Sequence, residues 1–218
     1  MNTNFVCPPF ISEVTASQFR RESFFRAYQD RFLDIVGPNC RGRVVEIGGE
    51  LHYNLGRFFP NADSFEVTNV ARDFTSFLDA TDMHFEDGSQ DAFLCASVLQ
   101  HVRNVPAAFS EMARTLRPGG TLVLVVPLLY PLHDEVDYWR FTDQVIKAHL
   151  EPDFEILTMT RLGGRISTLA QFLQRPVGKW NRRYLPMKLI GLMFSAIFGR
   201  FDQPDDSPLG FGVFAVRK

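Results

Sequence analysis

The sequence predicts an α/β domain built around a mostly parallel β-sheet. Short runs rich in Val, Leu and Phe alternate with segments of helical period, an order typical of parallel strands joined by helices. The run at 43–47, Arg-Val-Val-Glu-Ile, leads directly into Gly48 and Gly49, as expected for a buried strand that enters a tight turn. At 218 residues the chain suits one domain, and we expect 1–218 to form it.

The elements can be assigned in order along the chain. Segment 16–36 has apolar residues at helical spacing and ends at Gly37-Pro38, which predicts a helix within an N-terminal cap spanning 1–39. Between the last two predicted strands, 161–208 is long enough for a helical insertion. The other predicted elements are strands at 43–47, 64–70, 77–80, 91–96, 121–126, 155–160 and 211–216, a short helix at 53–59 and a helix that begins at Pro106.

Composition limits the possible functions. The net charge of −2 gives the chain no general attraction to nucleic acid, so we expect no nucleic-acid partner. Three cysteines without a CxxC pair argue against a disulfide framework or a zinc site and fit a reducing cytosol. Because the N-terminus lacks signal-peptide features and no apolar stretch reaches about 20 residues, we expect a cytoplasmic protein.

Five short motifs follow one another at regular distances. They are Val44-Val45-Glu46-Ile47-Gly48-Gly49, Asp79-Ala80, Phe85-Glu86-Asp87-Gly88-Ser89-Gln90-Asp91-Ala92-Phe93, Val98-Leu99-Gln100-His101-Val102 and Leu116-Arg117-Pro118-Gly119-Gly120. In this order they resemble class I S-adenosylmethionine-dependent methyltransferases, and most closely the small-molecule methyltransferases with an L-P-F-x-D-x-S-F-D segment. The resemblance implies a Rossmann-like, doubly wound sheet of seven strands with the last strand antiparallel, and S-adenosylmethionine as cofactor.

The resemblance also assigns a cofactor site. It implies that Gly48 and Gly49 lie against the methionine part, with Glu46 ordering the loop, and that Asn69 holds the ribose. It places Asp79 and Ala80 at the adenine and Ser97 in the cleft after strand four. Two residues depart from the family: Glu50 replaces a third glycine, and Asn69 replaces an acid, so we expect weaker cofactor binding. From the residues alone, Asn69 also fits a turn and Asp79 a helix cap.

The loop after strand five is the predicted acceptor side. It is crowded with His, acidic and aromatic residues at the carboxyl end of a strand, where ligands of such sheets bind. A hydroxyl acceptor must lose a proton, so His133 is the candidate base, with Asp134 as its orienting partner or alternate. We expect His101, Tyr138 and Arg140 to contact the substrate, and the acids lack a metal-ligand spacing. The alternatives are a packed His101 and an Arg140 that pairs with Asp137 or Asp134.

The insertion has an unusual charge. Segment 161–201 contains eight basic residues and no acidic ones, and its stretch 189–199 is apolar all round. Such a helix is either buried or in contact with lipid. We therefore expect 186–200 to form a lid, a homodimer contact or a peripheral contact with the inner face of the membrane.

The predicted activity is methylation of a small molecule. An oxygen acceptor on a sugar, a glycan precursor or a secondary metabolite is favoured, because a segment like His…Asp-Tyr-Trp-Arg-Phe-Thr resembles one branch of the family, near glycan biosynthesis. The alternatives are N-methylation of a small amine and a non-catalytic subunit that binds the cofactor.

Overall fold

A computed structural model describes residues 7–12, 23–50, 52–71, 76–132, 134–174, 185–203 and 207–218. Its centre is a seven-stranded sheet in the order β1-β6-β7-β5-β4-β2-β3. The strands are β1 (Phe10–Ile11), β2 (Gly42–Glu46), β3 (Ala62–Val67), β4 (Gln90–Ala96), β5 (Leu116–Pro127), β6 (Phe154–Leu162) and β7 (Gly210–Arg217).

All neighbouring strands are parallel except at β7. This last strand runs antiparallel to both β5 and β6, whereas β2 pairs in parallel with β3 and β4. The predicted fold class, a mostly parallel doubly wound sheet with an antiparallel last strand, is therefore confirmed. The carboxyl ends of β2, β4 and β5 share one edge of the sheet, which is where ligands bind in such folds.

One strand of the seven differs from the sequence prediction. The predicted strand at 77–80 is wrong, because the described part of 68–82 forms only the isolated bridges Asn69–Phe77 and Asp79–Asp82. The seventh strand is instead the unpredicted β1, which pairs in parallel with β6 at the opposite edge. The predicted helix at 53–59 is a single 3-10 turn at Leu55–Phe58.

Helices cover both faces of the sheet. On one face lies α1 (Phe24–Val36), and on the other lie α2 (Val105–Thr115) and α3 (Asp143–Leu150). The part of the first predicted helix at 16–22 falls outside the described residues. Each helix begins at a side-chain cap: Ser23, Asn104 and Thr142 accept from the backbone NH groups of Arg26, Ala107 and Val145. Alternate residues of the strands enter the two cores, as the buried Val44 and Val45 show.

The insertion before β7 contains two packed helices, α4 (Arg165–Gln174) and α5 (Leu185–Phe198). Asp202, just after α5, accepts from the backbone NH groups of Gly164, Ile166 and Ser167 at the start of α4. This side chain therefore caps α4 and ties both ends of the insertion together. Within the described ranges, no helix has the length and apolarity needed to cross a membrane.

Candidate cofactor and acceptor site

A cavity of about 340 Å³ opens at the carboxyl edge of the sheet. Its walls are the turns that follow β2, β3 and β4, the first turns of α1 and the loop that follows β5. All seven residues predicted for the cofactor line it, and so do three of those predicted for the acceptor side. These lining residues are Glu46, Gly48, Gly49, Asn69, Asp79, Ala80, Ser97, His101, Asp134 and Arg140.

The two glycines after β2 are required by the protein's own packing. Gly48 has a φ of +69°, and a Cβ there would lie 2.7 Å from the side chain of Val98. A Cβ at Gly49 would lie 2.5 Å from Val67 and 2.6 Å from the carboxyl carbon of Glu46. The tight turn therefore needs glycine at both positions, because a larger residue would displace the turn itself.

Asn69 holds this turn in place. Its Nδ2 donates to the carbonyl oxygen of Gly49 at 2.8 Å, and its Oδ1 accepts from the backbone NH of Ala71 at 3.0 Å. The second bond is the turn that the sequence offered as the alternative to ribose binding. An aspartate could not make the first bond, because a carboxylate has no N–H to donate. The departure from the family therefore has a structural reason.

Asp79 and Ala80 form the wall opposite the glycine turn. One oxygen of Asp79 accepts from both the backbone NH and the hydroxyl of Thr81, each at 2.8 Å. The side chain thus stabilises its own turn and does not cap a helix. Ala80 is 4% exposed and belongs to the core below the cavity.

Glu46 is a buried acid at the base of the cavity. It is 3% exposed, and its Oε2 has no hydrogen-bond partner among the described residues. Burial raises the pKa of Glu46 to about 8, and the negative charge of Glu50 adds to the shift, while Arg26 opposes it. A buried carboxylate needs an opposite charge or a hydrogen-bond donor, and Oε2 of Glu46 has no donor among the described residues. A bound cation or donor would supply the missing partner.

The segment after β4 brings the polar side chains of Ser97, Gln100 and His101 to the cavity. Ser97 has a φ of +60°, which is uncommon for a serine, and its hydroxyl donates to Gln29 of α1 at 3.0 Å. Gln100 is buried and donates from Nε2 to the carbonyl oxygen of Ser97 at 2.7 Å. Its Oε1 has no partner among the described residues, so it is a second buried acceptor in the wall.

The ring of His101 is held by contacts at both of its nitrogens. Its Nδ1 bonds to the carbonyl oxygen of Val136, which can only accept, so Nδ1 carries the proton. Its Nε2 lies 3.1 Å from Nε2 of Gln100, which donates to it, and 3.7 Å from a carboxylate oxygen of Asp134. The predicted base His133 falls outside the described residues. The structure thus pairs Asp134 with His101.

Arg140 forms the framework of the acceptor loop. It makes five hydrogen bonds, two to the carboxylate of Asp137 and one each to the carbonyl oxygens of Tyr130, Pro131 and Trp139. A guanidinium has five N–H groups, so these bonds use all of them. This is the pairing with Asp137 that the sequence left open as an alternative to substrate binding.

The rest of the loop is pinned to the segment after β4. The backbone NH of Tyr138 donates to the carbonyl oxygen of Gln100 at 2.7 Å, and the indole NH of Trp139 donates to that of Val102 at 2.9 Å. The side chain of Tyr138 is half-exposed and does not line the cavity. Among the described residues, no three His, Cys, Asp or Glu side chains come together as a candidate metal site.

Sequence analysis missed the wall contributed by α1 and by the turn after β2. The guanidinium of Arg26 lies over the ring of Tyr53 at 4.3 Å and 3.6 Å from the carboxylate of Glu50. Phe25 and Gln29 line the cavity beside them. No local pattern marks these residues, because α1 reaches the site only through its packing on the sheet. The only hint of this wall in the sequence was an aromatic residue, Tyr53, soon after the glycines.

Comparison with known proteins identifies the family. A family model described as "Methyltransferase domain" matches residues 64–124, which span β3, β4, α2 and most of β5. Over these residues the chain is similar to methyltransferase domains, which supports the S-adenosylmethionine-dependent methyltransferase that the motifs predict. The predicted family and cofactor are confirmed.

Two relatives of this methyltransferase are ubiquinone/menaquinone biosynthesis C-methyltransferases. The protein of Dinoroseobacter shibae is 25% identical over 122 residues, covering 46% of this chain and 48% of the relative. That of Rhizobium johnstonii is 29% identical over 119 residues, covering 51% of this chain and 42% of the relative. The matched region thus spans less than half the length of either relative.

Solved structures share the fold over almost the whole chain. A putative sarcosine dimethylglycine methyltransferase from Galdieria sulphuraria has a TM-score of 0.57 at 16% identity, covering 97% of this chain and 93% of that one. The [4+2]-cyclase SpnF also has a TM-score of 0.57, at 19% identity, covering 91% and 83%. At these identities the likeness shows the fold alone.

The residues of the cavity fit S-adenosylmethionine. The cofactor has a cationic centre, an ammonium group and ribose hydroxyls, and the walls offer the two unpartnered buried acceptors Glu46 Oε2 and Gln100 Oε1. The glycine turn gives close access to backbone groups. Glu46, Gly48, Gly49, Asn69 and Asp79 are therefore the residues that would hold it.

Proposed function

We propose that this methyltransferase methylates a hydroxyl group of a small molecule, such as a sugar or glycan precursor. The observation that carries the proposal is that His101 and Asp134 line the same cavity as Glu46 and Asn69. An imidazole and a cofactor wall in one cavity are what removal of a hydroxyl proton beside an activated methyl group requires.

The hydrogen bonds of Arg140 limit the kind of acceptor that the site can bind. Because Asp137 and three carbonyl oxygens occupy all of its N–H groups, Arg140 has none to offer to a phosphate or carboxylate of the substrate. The nearby polar groups of the acceptor wall belong to Gln100, His101 and Asp134, none of which is a guanidinium or an ammonium group. This favours an uncharged, hydroxyl-rich acceptor.

S-adenosylmethionine supplies an activated methyl group when bound. The work of this chain is to orient the acceptor and to receive its proton. In the proposed mechanism the acceptor hydroxyl replaces Gln100 as the partner of His101 Nε2, and this nitrogen accepts the hydroxyl proton. Asp134, 3.7 Å away, then stabilises the imidazolium that forms. The contact between Nδ1 and the Val136 carbonyl oxygen sets the orientation of the ring.

The experiment compares His101→Gln with the unmodified protein, using release of S-adenosylhomocysteine across a panel of sugars and glycan precursors. We expect turnover to fall roughly 10²- to 10⁴-fold, the usual contribution of a general base. Cofactor affinity, measured by calorimetry, should not change. His84→Gln is the matched control, because His84 is exposed and lies outside the cavity.

Three other outcomes would each indicate a different base or a different function. If His101→Gln keeps its full rate, His101 is not the base, and His133→Gln becomes the next variant to measure. If no hydroxyl acceptor is methylated while amines are, the reaction is N-methylation, which needs no strong base. If the cofactor binds and no acceptor of any class is methylated, the protein is a non-catalytic binding subunit.

A second candidate is carbon methylation of a quinone-type ring. The relatives at 25% and 29% identity are C-methyltransferases of ubiquinone and menaquinone biosynthesis, which favours it. Including demethylated quinone precursors in the acceptor panel separates the two reactions. We place either reaction in the cytoplasm.

A further inference from the structure

The outer face of the helical insertion is an apolar surface. Of α5, Leu192 and Phe194 pack against the core, while its opposite side chains project outwards. Ile190, Met193 and Ile197 recur at helical spacing and are 54%, 62% and 55% exposed. We call the following exposed set the hairpin surface: Leu169, Phe172 and Leu173 of α4, and Met187, Leu189, Ile190, Met193, Ile197, Phe198 and Phe201 of α5 and the turn after it.

The charge of this part of the chain is strongly positive. Segment 161–201 holds eight Lys and Arg residues and no acidic ones, whereas the rest of the chain holds 15 basic and 25 acidic residues. Arg165 and Arg200, at the two ends of the described helices, are both exposed. An apolar face within a basic segment is complementary to an anionic lipid surface.

A second copy of the chain is a poorer occupant of this face. Two-fold symmetric pairing would place the same patch of each copy against the other. Such pairing would bring together two segments that each contain eight basic and no acidic residues. Like charges brought together across an interface weaken it, whereas a bilayer that contains anionic lipid supplies the opposite sign.

The hairpin surface is close to the cavity. Both ends of the insertion lie at the carboxyl edge of the sheet, since α4 follows β6 and the chain re-enters at Gly210 of β7. The hydroxyl of Ser167 in α4 bonds to Tyr28 of α1 at 2.6 Å, and Gln171 accepts from the backbone NH of Phe25 at 3.4 Å. Phe25 itself lines the cavity. These bonds connect α4, which carries part of the hairpin surface, to the cavity through α1.

We propose that the hairpin surface docks on the face of an anionic lipid bilayer, with α5 lying in the interface. At 14 residues α5 is about 21 Å long, too short to span a hydrocarbon core of about 30 Å. Docking in this way presents the cavity beside the membrane. The inference does not depend on which acceptor is methylated.

The test is co-sedimentation of the full chain with vesicles. One preparation is phosphatidylcholine alone, and the other contains equal parts of phosphatidylcholine and phosphatidylglycerol. We expect binding to the anionic vesicles at least tenfold tighter than to the neutral ones, falling as salt is added. This comparison uses the unmodified protein, so it decides the question even if a variant does not fold.

A pair of double variants locates the surface. Met193→Asp with Ile197→Asp adds two negative charges to the hairpin surface and should weaken binding at least tenfold. Val145→Asp with Leu157→Asp adds the same charge at exposed apolar positions outside it and should retain most of the binding. Thermal unfolding of both confirms that each is folded.

Three outcomes would overturn the proposal. One is no binding to anionic vesicles at low salt. Another is equal loss of binding in the two double variants, which would indicate a general charge effect. The third is a dimer in sedimentation velocity that the hairpin variant splits, which would make the face an interface between copies of the chain.

Discussion

The two walls of the cavity are built in different ways. On the cofactor side the backbone is fixed by strand ends and by tight turns, and polar side chains such as Asn69 and Asp79 bond to backbone within a few residues of the cavity. On the acceptor side a long loop is held by the hydrogen bonds of Arg140 within the loop and by those of Tyr138 and Trp139 to the segment after β4. The cofactor wall therefore depends on turns at several strand ends, whereas the acceptor wall depends on how one loop is bonded to itself and to its neighbouring segment.

The strongest test of this difference is Arg140→Ala. Asp137 is 5% exposed in its side chain and would lose its partner, which typically costs about 3–5 kcal/mol when a buried pair is broken. We expect turnover to fall at least about 100-fold, because the wall around His101 loses its shape. Cofactor affinity should remain close to that of the unmodified protein. Arg117→Ala is the control, since its ion pair with Asp91 lies outside the cavity. Parallel loss of cofactor binding would show that the walls are not independent.

Gly48→Ala tests the cofactor wall. The added Cβ would lie 2.7 Å from Val98 in a backbone conformation with a φ of +69°, so the turn must shift at a cost of about 1–3 kcal/mol. We expect cofactor affinity, measured by calorimetry, to fall at least about tenfold. Gly119→Ala shares the positive φ but has no atom within 4 Å of its Cβ, so it separates the clash from the backbone effect. Equal losses in both variants would contradict the proposed clash.

Asn69→Asp distinguishes two roles of Asn69: binding the ribose, as the sequence predicts, and holding the glycine turn, as the structure shows. If residue 69 only bound the ribose, a charged acceptor there would strengthen cofactor binding. In the structure, however, the carboxylate would replace the amide donor of Asn69 that lies 2.8 Å from the Gly49 carbonyl oxygen. We therefore expect cofactor affinity to fall by roughly tenfold, the cost of about 1.4 kcal/mol for a lost bond with repulsion. Tighter binding by the Asp variant would show that the ribose contact dominates.

The smallest effect concerns the pH dependence set by Glu46. Its pKa is raised from 4.5 to about 8, so the folded state keeps a proton that the unfolded chain releases between these values. Stability from this group is complete below pH 4.5 and is lost as the pH rises to 8. A cationic ligand favours the ionised carboxyl, so cofactor affinity should rise about three- to tenfold from pH 6 to pH 8. In Glu46→Gln the contribution of this group to the pH dependence of stability and of cofactor affinity should disappear. Thermal unfolding and calorimetry at each pH measure these two quantities. An unchanged pH dependence in that variant would exclude Glu46.

The sequence predicted the cofactor wall better than the acceptor wall. The pair of glycines after a buried run indicates the turn directly, and the family resemblance added Glu46 and Asp79; these residues line the cavity. The pairing of Arg140 with Asp137 was one of the alternatives that the sequence offered. The partners of His101 depend on how a loop folds back over a distant segment, and residue types do not reveal that. For the same reason Arg26 and Gln29, which precede β2 in the chain, were not foreseen.

Because the predicted strand at 77–80 is reduced to isolated bridges, β3 is the last strand at its edge of the described sheet. An open edge of this kind can add a strand from another molecule and so begin aggregation. The strand carries Asp63 and Ser64 on its exposed part, and Glu66 there is paired with Arg43. Charge and short length make this edge a poor template for further pairing. The chain can therefore lack a full outer strand beside its cofactor wall and still resist the self-association that an apolar edge would promote.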